Sequence, residues 1–167
     1  MKARCMVVVI RELLGEMKMR EILFRGRRRD NREWVFGCYY KQTECYGDDT
    51  ENHIIIASSE DLSYDQVLDY YYVDPETVGQ FTGLTDKNGK KIFEGDIVKS
   101  EFTKMPYTVC FGEYSYEDEY GNEQSVCGWY NEDQGGYVTG FGCPDDWAIV
   151  IGNIHDNPDL FKERDKE

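Results

Sequence analysis

Three carboxylates beside two glycine turns are the first residues of this sequence whose types and spacing could carry chemistry. Asp86, Glu94 and Asp96 lie in the stretch TDKNGKKIFEGDIVKS, residues 85–100. Carboxylates near glycine turns are common ligands of hard cations such as Ca²⁺. Their spacing matches no calcium-binding loop, so the sequence favours a structural role over a metal site.

The structural interpretation makes this stretch a bent pair of strands. Asn88-Gly89 is the strongest hairpin signal in the chain, because a tight turn that matches strand twist needs positive φ, which Gly tolerates. KKIFEGDIVKS then returns as the second strand, with a bulge or a close backbone approach at Gly95. The residues assigned to the turn and the core are Asp86, Asn88, Gly89, Ile92, Phe93, Gly95, Asp96 and Ile97.

Cysteine and histidine side chains are the second group that could act as nucleophiles or ligands. A zinc site is usually marked by closely spaced ligand pairs, and a Cys–His nucleophile needs an orienting group nearby. Neither pattern is present, so we expect no catalytic residue, no metal and no cofactor. The cysteine spacings suggest reduced thiols in a cytoplasmic protein. The residues concerned are Cys5, Cys38, Cys45, Cys110, Cys127, Cys143, His53 and His155.

An arginine-rich run, RGRRRDNR at residues 25–32, is the strongly basic segment of the chain. Apolar runs flank it and Asp30-Asn31 supplies a turn, so we expect a hairpin with a basic tip. Such a tip can bind phosphate groups, or it can be solvated or paired with acids of the same or a neighbouring molecule. The candidates for phosphate contact are Arg25, Arg27, Arg28, Arg29 and Arg32.

A segment that interleaves tyrosines with acids, EYSYEDEYGNE, occupies residues 113–123. Strand alternation sends neighbouring side chains to opposite faces, which argues against converging carboxylates. The segment is then either a solvated hairpin or a surface for a basic protein, with tyrosines as contact area and acids as steering charges. The candidate partner surface consists of Tyr114, Tyr116, Glu117, Asp118, Glu119 and Tyr120.

Short strands are the elements that must position all these residues. From residue 20 onward, apolar or alternating runs are separated by turn formers, without the strand–helix alternation of a Rossmann or barrel enzyme. The prediction is a mainly β fold, with antiparallel strands closing into a small barrel. Short helices are expected near residues 59 and 158. No run is apolar and long enough to span a bilayer.

The charge of the chain limits its partners. It has 19 Lys and Arg against 33 Asp and Glu, a formal net charge of −14 over 167 residues. Residues 101–167 hold four basic and fifteen acidic side chains, a net charge of −11. Bare nucleic acid is therefore a poor general partner, although the arginine run leaves local contact open.

The length fits one domain, which we place at residues 19–162. Residues 1–18 are interpreted as an N-terminal extension. They can be an artefact of the assigned start codon, because the codons for Gly15-Glu16 can form a ribosome-binding site upstream of Met19. Residues 101–146 form an acidic, Tyr- and Gly-rich variable segment, and residues 163–167 form a charged tail.

Three segments together resemble the YopX family of bacteriophage and prophage proteins. They are MREILFRGRRRDNREWVFGCYY at 19–40, VDPETVGQFTGLTDKNGKKIFEGDIVKS at 73–100 and VIGNIHDNPDLF at 150–161. The resemblance implies a compact, mostly β domain encoded on phage or prophage genomes. It supplies no catalytic residues, and residues 101–146 depart from the simplest family pattern.

Three classes of function are considered. The first is a non-enzymatic accessory protein that binds a host or phage protein through the acidic tyrosine-rich segment in the bacterial cytoplasm. The alternative is a nucleic-acid-associated protein, or an acidic mimic of nucleic acid that acts on a host protein. The third class is a hydrolase or nuclease. Self-association through sheet edges is left open.

Overall fold

The structure is a computed structural model that describes residues 21–43, 51–57, 69–100, 105–142, 144 and 147–160. Within these residues, eleven strands form two antiparallel sheets, which confirms the predicted mainly β class. None of the helical turns in this part of the chain is long and apolar enough to cross a membrane.

Six strands form the first sheet. They are β1 (Phe24–Arg27), β2 (Trp34–Thr43), β3 (Glu51–Ala57), β4 (Tyr70–Tyr72), β5 (Gly79–Thr85) and β6 (Lys91–Phe93). Their order in the sheet is β4-β3-β2-β1-β5-β6. The predicted arginine hairpin joins β1 to β2, with Arg25 opposite Phe36.

Five strands form the second sheet. They are β7 (Asp96–Ser100), β8 (Pro106–Glu117), β9 (Glu123–Glu132), β10 (Val138–Gly140) and β11 (Ala148–Asn153). Their order is β10-β9-β8-β7-β11, and β8 and β9 make a hairpin of ten paired positions. The four strands predicted after residue 105 are therefore confirmed.

The chain passes from the first sheet to the second at Glu94-Gly95. Gly95 has φ 76°; its N–H donates to the carbonyl of Val109 at 2.8 Å, and its carbonyl accepts from the N–H of Ile154 at 3.0 Å. The prediction that KKIFEGDIVKS forms one returning strand is wrong, because this turn divides it into β6 and β7. The two halves pair in different sheets, so the described strands form two open sheets instead of the predicted closed barrel.

Two apolar clusters hold the sheets. Buried residues of both sheets form the larger cluster, and each fully buried Val or Ile contributes roughly 1.5–3 kcal/mol. The smaller one lies within the first sheet. The larger cluster contains Ile92, Val98, Val109, Phe141 and Ala148, and the smaller contains Leu23, Phe81 and Phe93.

The predicted helices are short or fall outside the described residues. Pro158 begins a single 3-10 turn over residues 158–160, directly after Asn157. The expected helix near residue 59 lies outside the described residues. A further 3-10 turn, Pro75–Thr77, follows β4, and the side chain of Asp74 accepts from the N–H of Glu76 at 3.3 Å.

Candidate binding surfaces

Asp86 organises the hairpin between β5 and β6. Its Oδ1 accepts from the N–H groups of Asn88 at 2.8 Å and Lys90 at 2.9 Å, and its Oδ2 accepts from Val150 of β11 at 3.1 Å. Burial opposes ionisation, but these three N–H donors outweigh it and hold the pKa of Asp86 below its ordinary value. The carboxylate therefore joins the turn to the second sheet.

The turn itself differs slightly from the expected tight form. Gly89 has φ 80°, whereas Asn88 is not among the described residues with positive φ. The N–H of Gly89 donates to the carbonyl of Asp86 at 2.9 Å, and the N–H of Asp86 donates to the carbonyl of Lys90 at 2.8 Å. This combination is a three-residue turn whose glycine makes the bulge.

Asp96 is buried and holds the crossing between the sheets. Its Oδ1 accepts from Nη1 of Arg25 at 2.6 Å, and its Oδ2 accepts from the N–H of Phe93 at 2.8 Å. Burial raises the pKa of Asp96 and outweighs the opposing attraction of Arg25. Nη2 of Arg25 donates to the carbonyl of Glu94 at 3.0 Å, and burial raises the pKa of Glu94 as well.

Two of the three acids of this stretch, Asp86 and Asp96, thus have separate structural tasks. Asp86 and Asp96 are each 2% exposed and are committed to backbone donors or to Arg25. Among the described residues, no group of three or more His, Cys, Asp or Glu side chains is arranged to hold a metal ion. Ile92, Phe93 and Ile97 are buried, as the structural interpretation expected.

The arginines of the β1–β2 hairpin contact groups of their own chain. Arg25 is 7% exposed and lies in the interior, with its guanidinium 4.9 Å from the centre of the Trp34 ring and 5.1 Å from that of Phe93. Arg27 pairs with Asp156 at 3.3 Å. Arg25 is therefore a core residue and not part of a basic tip.

The outer arginines of the hairpin are also engaged. Arg28 pairs with Asp30, and its guanidinium lies 4.3 Å from the centre of the Tyr71 ring. Nε of Arg29 donates to the carbonyl of Val73 at 3.1 Å. Arg32 pairs with Asp74 at 3.2 Å and has φ 65°. Arginines of this hairpin thus pair with acids of the same molecule, which was one of the expected alternatives. Phosphate contact by Arg27, Arg28, Arg29 and Arg32 stays a prediction.

The hairpin of β8 and β9 is anchored at one end and exposed at the other. Val109 of β8 is fully buried, and Trp129 of β9 packs against the core cluster. From Glu113 outward the side chains are exposed or half-buried on both strands. We call residues 113–127, the outer part of this hairpin, the arm.

The two faces of the arm differ in chemistry. Tyr114 and Tyr116 lie on one face, where the Tyr114 ring is 5.3 Å from the Tyr130 ring and 6.3 Å from the Tyr116 ring. Glu117 and Glu123 lie directly opposite each other on the other face. Alternation along β8 therefore separates the aromatic from the acidic side chains.

The predicted partner residues divide into exposed and structural ones. Tyr120 is 81% exposed at the tip and Tyr116 is 45% exposed, whereas Tyr114 is half-buried. A side-chain carbon added at Gly140 of β10 would lie 3.0 Å from Oη of Tyr114, so Tyr114 packs against β10. Tyr116 and Tyr120 are the rings available for contact.

Asp118 is the turn residue of the arm. Its Oδ1 accepts from the N–H groups of Tyr120 at 3.0 Å and Asn122 at 2.9 Å, and Nε2 of Gln124 donates to its Oδ2 at 3.2 Å. Donors from Asn122 in particular lower the pKa of Asp118. Glu117 and Glu119, in contrast, are exposed and form no ion pair among the described residues.

Thiols and imidazoles occur singly in the described structure. Cys38, Cys110 and Cys127 are free, and Cys5, Cys45 and Cys143 lie outside the described residues. Burial, with the nearby carboxylate of Glu132, raises the pKa of Cys110 to about 11. His53 Nδ1 lies 2.6 Å from Oη of Tyr39, and burial lowers the pKa of His155.

Two exposed features were not identified from the sequence. Tyr40, Tyr70 and Tyr72 stand on one face of β2 and β4, each about half exposed. Lys90 and Lys91 border a groove next to Phe36 and Phe93. The three lysines of TDKNGKK were a signal for the second feature, but the ring contact that forms the groove joins distant parts of the chain.

These observations define a mainly β protein of two open antiparallel sheets with a projecting acidic arm. Residues 23–162 match the profile of the YopX protein family. This match spans most of the chain, so the protein belongs to the YopX family, as the three sequence segments indicated.

Comparison with solved structures finds similar chains. The crystal structure of protein EF1440 from Enterococcus faecalis is 22% identical with a TM-score of 0.46; the alignment covers 84% of this chain and 98% of that chain. No curated protein matches significantly.

Proposed function

We propose that this protein is a phage or prophage accessory protein that acts in the bacterial cytoplasm as a non-enzymatic binding module. Its partner surface is the arm, and its partner is a basic host or phage protein. The observation that carries the proposal is the facing pair Glu117 and Glu123 at the outer end of the arm. Like charges opposite each other destabilise a strand pair, and residues 105–142 contain no Lys, Arg or His to offset them.

The exposed rings of the arm fit the same role. Tyr116 and Tyr120 offer aromatic contact area that loses little side-chain entropy on binding, and tyrosine is enriched among residues that dominate binding energy. Residues 105–142 contain seven acids. Their negative charge attracts a basic partner over a distance of about one screening length, ~8–10 Å. We therefore expect the partner protein to have a basic surface with a depression that accepts an aromatic ring.

Affinity capture with matched variants tests this proposal. Tagged full-length protein is incubated with lysate of an infected or induced host, and bound proteins are quantified by mass spectrometry. We expect the double change Tyr116→Ser and Tyr120→Ser to lower the captured amount of a specific basic partner more than about tenfold. The reason is that loss of an aromatic side chain central to binding costs about 2 kcal/mol or more of binding free energy. Glu117→Gln with Glu119→Gln should lower the captured amount as well.

The matched control removes the same number of exposed tyrosines elsewhere. Tyr40→Ser with Tyr70→Ser alters the first sheet and leaves the arm unchanged. This control variant should capture the partner as well as the wild type does. If the control variant loses the partner while the arm variant keeps it, the binding surface is the face of the first sheet and the proposal is wrong.

A second candidate, an acidic mimic of nucleic acid, is favoured by the distribution of charge. The hairpin arginines contact their own chain, whereas the arm presents carboxylates without a basic neighbour in residues 105–142. A mimic occupies a basic groove on its partner and competes with DNA. Mimicry is supported if duplex DNA displaces the captured partner and if the captured amount falls steeply as the salt concentration rises. It is excluded if neither DNA nor salt changes the captured amount.

A further inference from the structure

An open groove lies on the first sheet beside the β5–β6 turn. The Phe36 ring, which is 47% exposed, contacts the Phe93 ring with 5.5 Å between centroids. The groove is thus mainly apolar, and two lysines stand at its edge. It is lined by Leu23, Arg25, Phe36, Lys90, Lys91 and Phe93, together with Glu21.

The cations of the groove differ in whether they form an ion pair. Arg25 is paired with Asp96, and Nζ of Lys91 lies 2.7 Å from Oε2 of Glu21. Lys90 is exposed and forms no ion pair with another described residue. The groove therefore combines an apolar aromatic surface with one exposed ammonium group that forms no ion pair among the described residues, in a chain whose net charge is −14.

The tip of the arm has the opposite chemistry. Tyr120 is the most exposed of the large apolar side chains described, and Glu119 precedes it with an exposed carboxylate. An aromatic ring favours tilted contact with other rings, and a carboxylate favours an ammonium group. Ring and acid are adjacent on the arm, just as rings and lysine are adjacent in the groove.

We propose that the arm of one molecule docks in the groove of a second copy, with Tyr120 against Phe36 and Phe93 and with Glu119 toward Lys90. This inference rests on the proposed function, in which the arm is a binding surface, and names a second copy of this chain as a partner. Because arm and groove are different surfaces, the contact is heterologous: each molecule offers one donor arm and one acceptor groove.

Sedimentation equilibrium of the full-length chain tests the inference, from micromolar protein up to about 1 mM. We expect the wild type to self-associate, and Tyr120→Ser and Lys90→Glu each to raise the dissociation constant at least about tenfold, equivalent to about 1.4 kcal/mol. Tyr137→Ser, which removes another exposed tyrosine, is the matched control and should associate like the wild type.

An equimolar mixture of the two variants gives the decisive readout. The Tyr120→Ser molecule keeps its groove and the Lys90→Glu molecule keeps its arm, so the mixture should form a 1:1 complex that grows no further. A wild type that stays monomeric throughout, variants that associate like the wild type, or a mixture that stays monomeric would each overturn self-docking.

The failure of self-docking is distinguishable from failure of the proposed function. Lys90→Glu leaves the arm intact, so this variant should still capture the basic partner from lysate. Arm-dependent capture by a protein that is monomeric at every concentration overturns self-docking and leaves the arm as a binding surface. Self-docking is supported if Tyr120→Ser loses both self-association and capture of the basic partner, whereas Lys90→Glu loses self-association alone.

Discussion

At the scale of single residues, the acids that look most like a catalytic or metal site are acceptors for the backbone. The structural role of Asp86 and Asp96 follows from their turn spacing alone. Their partners do not, because Val150 and Arg25 lie 64 and 71 residues away in sequence. Such long-range pairs depend on which strands meet, which local sequence patterns do not encode.

Substitution of Asp86 separates its two tasks. Asp86→Asn can retain the turn acceptor but places an amide opposite the N–H of Val150, so we expect a loss of about 1–3 kcal/mol; Asp86→Ala loses all three bonds and should cost more. Because the folded pKa of Asp86 is lowered, its stabilisation is complete above the ordinary value of 3.8 and is lost as pH falls through the folded pKa.

Urea unfolding between pH 3 and 7 measures both effects of Asp86. The wild type should lose stability toward the acid end more steeply than Asp86→Ala, which lacks the titrating group. Tyr137→Ser changes an exposed, uncharged side chain outside this turn and serves as the control. Equal acid sensitivity in the wild type and Asp86→Ala would show that Asp86 contributes nothing to the pH dependence.

At the scale of elements, the arm is a strand pair whose outer half has few core contacts. The sequence predicted both of its strands and its alternation of tyrosines with acids. It did not predict that Tyr114 packs beside Gly140, because β10 is a separate strand joined by a turn. Nor did the apolar pattern reveal that KKIFEGDIVKS changes sheets, since both halves are buried and the break is set by one glycine with φ 76°.

The turn at the end of the arm can be loosened without loss of the fold. Asp118→Ala removes the acceptor for the N–H groups of Tyr120 and Asn122, so amides of the tip should exchange hydrogen faster. The midpoint of thermal unfolding should change little, because the tip is exposed. Hydrogen–deuterium exchange with mass spectrometry checks this, and slower exchange or a large drop in the midpoint would contradict it.

At the scale of the whole molecule, two open sheets share a core and leave one acidic arm projecting. The short alternating runs predicted the mainly β class, and the distribution of charge predicted the acidic character of the second half. The barrel was not formed, because closure requires continuous pairing across Glu94-Gly95, where the chain instead turns between sheets. The separation of scaffold from arm is the central claim of this account.

Removal of the arm tests that claim most directly. Gly112 and Gly128 lie opposite each other, so residues 113–127 can be replaced by Asn-Gly, a two-residue hairpin turn. Thermal unfolding and capture of the basic partner are then measured on the same preparation. We predict cooperative unfolding close to that of the wild type together with loss of the partner. A shortened protein that keeps its partner, or one that does not fold, would contradict the account.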